Sequence, residues 1–165
     1  DLRGRFPQQN IAEVAERIRQ ELMKLQAEGV KTLVCSGANG ADLLAITVAQ
    51  ELGMEVVIVL PGDAESFFPG SVAGRKGTFR NFSWAELYAH ALTKCVVVEL
   101  GGVIDDAAYA KATEVMTELL NEANGVRVQI SVTEGQVNSG VDHTADAARR
   151  AGEQGVTALH ISTQR

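Results

Sequence analysis

Cysteine is scarce in this chain: Cys35 and Cys95 are the two present in 165 residues. Each lies in an apolar stretch, TLVCS and CVVVEL. A disulfide framework needs an even, spaced set in a small secreted scaffold, so none is expected. Two buried free thiols in a reducing compartment are expected instead. The three histidines, His90, His143 and His160, show no metal-ligand spacing, and no metal site is expected. Positive charge is in deficit: 15 Lys and Arg against 21 Asp and Glu give a net charge of −6. Such a chain is poorly suited to nonspecific binding of duplex DNA or an anionic membrane. No apolar run approaches the roughly 20 residues that a membrane helix needs. The sequence shows no secretory-leader pattern, and a cytoplasmic location is expected.

What is present is globular in kind, 45% hydrophobic and 22% charged, which excludes wholesale disorder. A chain of this length is read as one domain over 1–165, able to bury roughly 70% of its unfolded surface without disulfides or metal. Ile11, Val14, Ala15, Ile18, Leu22 and Leu25 follow helical spacing behind a possible cap at Asn10. Strand-like runs follow at 30–36, 55–60 and 95–100, with an all-round apolar helix at 41–52 between the first two. Ser83 and Glu86 form a capping box ahead of a helix carrying Trp84, Leu87, Tyr88 and Leu92. Asp105 and Asp106 open a further helix with the stripe Ala108, Ala112, Val115, Met116 and Leu119, ended by Gly125. Residues 126–132 alternate apolar and polar, as a half-exposed strand does. An Ala-rich helix at 145–154 and a last strand at 156–162 complete the chain.

Nearly all-apolar strands alternating with helices imply a Rossmann-like, doubly wound, open parallel sheet with helices on both faces. The first predicted element is a helix behind a loop that looks like the exit from a strand, and residue 1 is Asp. A fragment or module of a larger protein, lacking its first strand, is therefore expected. Residues 61–82 show no clean period and read as a long loop over the carboxyl edge of the sheet, anchored by Phe67 and Phe68.

Three segments are candidates for chemistry. Ser36, Gly37, Ala38, Asn39, Gly40 and Asp42 stand between a strand and a helix, where glycines and helix N–H groups cradle anions. Asp42 is equally a first-turn helix residue or a ribose or base ligand. The long loop carries Arg75, Lys76 and Arg80, cations able to meet phosphate oxygens. Ser139, Gly140, Asp142, His143 and Thr144 repeat the small-residue loop ahead of the second-last predicted element. Glu99, at the end of a strand, and Asp142 are candidates to stabilise an oxocarbenium-like ribosyl centre; Glu99 would equally bind ribose hydroxyls.

The stretches SGANGADLL, EVVIVLPGDAESFFPGSV and VTEGQVNSGVDHTADAARRAGEQGV resemble the SLOG superfamily of Rossmann-like domains. That superfamily includes the DNA-processing protein DprA, the Lonely Guy phosphoribohydrolases and sensor domains of bacterial nucleotide signalling. The first stretch is similar to its SGxxxGAD loop and the third to its GGT-type loop. The PGGxGTxxE motif of the Lonely Guy enzymes has no double glycine or glutamate at Ser139, Gly140, Val141, Asp142, His143 and Thr144. The resemblance is nearest to the sensor type. It implies a bound nucleotide or nucleotide-derived ligand, no required cofactor, and a fused or partner effector, with a homo-oligomer also compatible. A nucleotide N-glycosidase is the second expectation. A DprA-like binder of single-stranded DNA is disfavoured by the net charge and by the lack of a basic aromatic face.

Overall fold

The computed structural model describes residues 8–73, 76–121, 126–133 and 158–162. Within it the order is α1 (Gln8–Ala27), β1 (Val30–Cys35), α2 (Ala41–Glu51), β2 (Glu55–Leu60), α3 (Ala64–Ser71), β3 (Thr78–Phe79), β4 (Phe82–Ser83), α4 (Trp84–Lys94), β5 (Val96–Glu99), α5 (Asp106–Asn121), β6 (Val126–Thr133) and β7 (Ala158–Ser162).

The strands are apolar on both sides because both sides are covered. Along β2, Val56, Ile58 and Leu60 join the core under α1, α2 and α4, while Val59 joins the core under α5. In β1, Leu33 and Cys35 face the first core and Val34 faces the second. A register shift between Val30 and Thr32 inserts Lys31 as an extra residue, so Val30 returns to the same core as Leu33. The five long-sheet strands pair in the order β5-β2-β1-β6-β7, all parallel. In sequence rank this is 3-2-1-4-5, the doubly wound arrangement with helices on both faces that the strand and helix alternation implied.

The helices follow their apolar stripes. Ile11, Val14, Ala15, Ile18 and Leu22 of α1 are buried, and α2 buries Leu43, Leu44, Ala45, Ile46, Val48 and Ala49. Full burial of one such leucine is worth roughly 1.5–3 kcal/mol. On the opposite face Ala112, Met116 and Leu120 of α5 pack on Val34 and Val59. The capping box forms at α4: Ser83 Oγ accepts from Glu86 N–H at 3.2 Å and Glu86 accepts from Ser83 N–H at 2.8 Å.

Several expectations are corrected. The 61–82 segment is not structureless. It contains α3, capped by Asp63, and a hairpin of β3 and β4. An eight-residue helix with Pro69 and Gly70 inside it leaves no repeating apolar stripe to detect. The two residues of the hairpin turn, Arg80 and Asn81, both have positive φ (55° and 66°), as a type I′ turn requires; Arg-Asn conceals what Asn-Gly would have announced. Phe67 does anchor the segment, at 1% exposure, and Phe68 packs partly against the same core. Cys95 is half-buried rather than buried, and Val96 is 62% exposed. Both follow from β5 being an outer strand of the sheet. The strand expected at 126–132 forms as β6, paired with β1 and β7. The helix expected at 145–154 lies outside the described residues, as does Gly125.

Candidate functional site

In sequence rank the sheet order reverses at β1, which pairs with β2 on one side and β6 on the other. In open α/β sheets the crevice outside the carboxyl ends of the strands, at such a reversal, is where ligands lodge. The loop from β1 to α2, carrying Ser36, Gly37, Ala38, Asn39 and Gly40, leaves the sheet at that point.

Its two glycines serve different ends. Gly37 is a packing glycine: a Cβ there would stand 3.2 Å from the Tyr88 ring and 3.5 Å from Ile58. Gly40 caps α2 with φ 83° and ψ −124°, a conformation that side chains resist, and makes no side-chain cap bond. The loop's polar groups are already partnered to a large extent. Ala38 N–H donates to the Asp42 carboxylate at 3.2 Å. Asn39 N–H donates to the Ser71 carbonyl at 2.9 Å, and Asn39 Nδ2 donates to the Val72 carbonyl at 3.3 Å. Ser36 is half-buried at the mouth.

Two further loops leave the same edge. Gly62, after β2, lies so close under Ile104 that a Cβ would stand 2.7 Å from its side chain. Gly101 and Gly102, after β5, have φ of 71° and 81°. Asp105 then caps α5 by accepting from Ala108 N–H at 2.8 Å, and the Tyr109 hydroxyl lies 3.2 Å from Ser71 Oγ. The α3 helix thus spans the edge. Its start is held at β5 and its end touches the first turns of both α2 and α5. Sequence reasoning missed Gly101, Gly102 and the anchoring role of Tyr109. A paired glycine directly after an apolar strand was the available signal for the first two.

The structure separates some residues that the sequence had grouped. Glu99 is at the carboxyl edge, where its carboxylate accepts Ala64 N–H at 2.8 Å and so holds the start of α3. Arg80 is not beside the glycine loop. It bonds Glu51 at 3.0 and 3.2 Å, in the last turn of α2, and covers the Phe79 ring at 4.7 Å. Glu51 closes the eleven-residue α2, roughly 15 Å along the axis from the end at which the loop enters it. Lys76 is exposed. Arg75, Ser139, Gly140, Asp142, His143 and Thr144 lie outside the described residues.

Among the described residues, the carboxylates of Asp42, Asp63, Glu99 and Asp105 stand in the loops, strand ends and helix start of this edge. Burial, then Asp42, then Cys95 push the Cys35 thiol well above its usual value, which keeps it a neutral core group rather than a nucleophile. Burial, then Glu99 and Asp63, push the Tyr88 hydroxyl up to about 12. That hydroxyl donates to the Ala64 carbonyl at 2.8 Å. Among the described residues no group of three or more His, Cys, Asp or Glu side chains can hold a metal ion, and no helix is long and apolar enough to cross a membrane.

No family model matches the chain, and no curated protein matches it. Among solved structures, the X-ray structure of DNA processing protein A (DprA) from Streptococcus pneumoniae is similar over 93% of this chain, with 14% identity and a TM-score of 0.46. The chain spans about half of that protein, 54% of its length. The Rossmann-like architecture of the present chain rests on its own strand order and two-sided helix cover.

Proposed function

We propose that this domain binds a nucleotide or nucleotide-derived ligand across the carboxyl edge of its sheet, as a sensor module of SLOG type serving a fused or partner effector. The observation that carries this reading is the placement of the 36–40 loop and the start of α2 at the reversal of strand order. Ser36 and the Gly40 N–H offer donors to such a ligand, whereas the Asn39 amides already bond the Ser71 and Val72 carbonyls. Asp42 suits a ribose hydroxyl or base N–H better than a phosphate, because it is an anion itself. No cofactor is required.

The second reading is an N-glycosidase acting through Glu99 or Asp142. The bond from Ala64 N–H to Glu99 favours binding over hydrolysis, since it gives that carboxylate a structural task. Titration calorimetry against a panel of nucleotides, dinucleotide cofactors and cyclic oligonucleotides, with chromatography of each mixture for released base, tests both. Saturable binding without release supports the sensor, and base release supports the enzyme. A panel that yields neither removes the nucleotide reading.

A further inference from the structure

Strand β5 ends the sheet with one long side unpaired. Among the described strands it pairs with β2 alone, in a register that runs unbroken from Val96 to Glu99. Leu100 N–H extends that ladder to the Leu60 carbonyl at 3.2 Å. Backbone groups alternate sides along a strand. Leu100 N–H faces β2, so those of Val96 and Val98 do too, while Val97 and Glu99 turn their N–H and C=O groups outward. Natural edges are guarded by lysine, proline or bulges. The run CVVVE has no lysine or proline, and its pairing shows no bulge. Val96 on it is 62% exposed.

The helix layer at the same edge is apolar as well. Trp84, Leu87, Tyr88 and Ala91 bind α4 to the core over β2 and β5. Right-handed crossovers, from β1 to β2 and from β2 to β5, set α2 on one side of α4 and the free edge on the other. Helix handedness then turns Ala85, Ala89 and Leu92, spaced i, i+4 and i+7, toward the free edge. The two alanines are exposed and Leu92 is half-buried.

We infer that this edge is the contact of a symmetric homodimer, in which the β5 strands of two copies pair antiparallel about a twofold axis at Val97 and the two sheets become one. Val97 then exchanges both backbone bonds with Val97 of the second copy, and Glu99 N–H donates to the Cys95 carbonyl of the second copy. Val96 lies opposite Val98 of the second copy, an aliphatic pair on the sheet face where α5 packs on β2, β1 and β6 and stops short of β5. Charge selects the register. An axis at Glu99 would set two carboxylates directly opposite, which is destabilising, whereas the axis at Val97 sets Glu99 opposite Cys95. The helix layer selects the occupant. Each α4 lies over β2 and β5, so the two α4 axes stand two strand spacings apart, roughly 10 Å. Helices pack at about 8–10 Å, and Ala85 and Ala89 permit that approach. An extended peptide would satisfy the strand and leave the α4 flank bare; a second copy satisfies both layers.

Sedimentation velocity of the 165-residue chain over a concentration series is the test, with amide exchange followed at the same concentrations. The expected result is a species of twice the 17.6 kDa of one chain, with exchange at Val97 and Glu99 slowing as it fills. Two variants address the two layers. Val97→Pro removes an outward N–H and leaves the ladder to β2 intact, as proline does on an edge strand. Ala89→Glu sets a carboxylate between the two α4 helices at an exposed position. Each should weaken the dimer by at least about tenfold. Circular dichroism checks folding, and if Val97→Pro does not fold, Ala89→Glu decides. A parent chain that stays monomeric at about 0.1 mM overturns the inference. So does a dimer that the folded variants leave at full strength, or one whose formation leaves exchange at Val97 and Glu99 unchanged.

Discussion

The carboxylate of Glu99, at the end of β5, accepts the backbone N–H of Ala64, at the start of α3, over 35 residues of sequence and 2.8 Å of space. The first N–H groups of a helix have no partner within the helix. Asp63 satisfies Ser66 N–H at 2.7 Å, and Glu99 satisfies another. Glu99→Ala is therefore expected to destabilise the domain by about 1 kcal/mol, as the loss of a cap does. Glu99→Gln keeps the accepting oxygen and should cost less. Urea denaturation of the three proteins checks this. Equal midpoints for Ala and parent would show that Glu99 is not a structural cap.

Acid should loosen the α1–α2–hairpin contact. Glu51 bonds Arg80 and Arg19. Its carboxyl is held below the usual 4.5, first by the Arg80 hydrogen bond; partial burial opposes this, and Arg19 adds to the lowering. A carboxylate whose folded pKa is depressed contributes stability at pH above its unfolded value, and that contribution disappears as pH falls through the folded value. The denaturation midpoint should thus drop on acidification from about 4.5 downward. Arg80→Ala should flatten that part of the profile, and added salt should shrink it, because the groups are largely exposed. A profile identical in Arg80→Ala would remove the pair as its cause.

Two alanine substitutions in one loop should differ. Gly40 has φ 83° and ψ −124°, and forcing a side chain into so sparsely populated a region costs roughly 1–3 kcal/mol. Gly37 has no such φ, and its added Cβ meets the Tyr88 ring at 3.2 Å, which a small shift of the ring relieves. Gly40→Ala is expected to be the more destabilising, while Gly37→Val overpacks the site by roughly 1–3 kcal/mol. Thermal unfolding ranks the three, and a Gly37→Ala more harmful than Gly40→Ala would contradict the assignment of roles.

The thiols should react in sequence. Cys95 is half-buried and Cys35, at the end of β1, is buried, with both thiols pushed upward by burial. A thiol-specific reagent should label Cys95 slowly in the folded domain and Cys35 only after denaturant is added. Mass spectrometry of labelled peptides reads the order. Prompt labelling of Cys35 under native conditions would show that the core opens there.

The local signals in the chain proved sound where they were long and regular. The stripe of α1, the β-branched run of β2 and the Ser83–Glu86 box each declare their element within a dozen residues, because helix and strand period and capping are short-range physics. The segment at 61–82 was illegible for the same reason: α3 is too short for a period to repeat and contains Pro69 and Gly70. The type I′ turn at Arg80 and Asn81 lacked its usual glycine.

The sequence by itself determined the class of fold: apolar strands alternating with amphipathic helices can be satisfied only by a sheet covered on both faces. It also marked the 36–42 loop as a place of interest, since glycines between a strand and a helix carry backbone donors wherever the fold places them. Tertiary structure alone decided the strand order, which makes that loop the point of reversal. It alone directed Arg80 to Glu51, Glu99 to Ala64 and Asn39 to Ser71 and Val72, partners some 30 residues apart. The types of residue are fixed by local chemistry, but a long side chain or an exposed amide takes whichever partner the packing of distant elements brings within 3 Å or so, and no window of sequence contains that information.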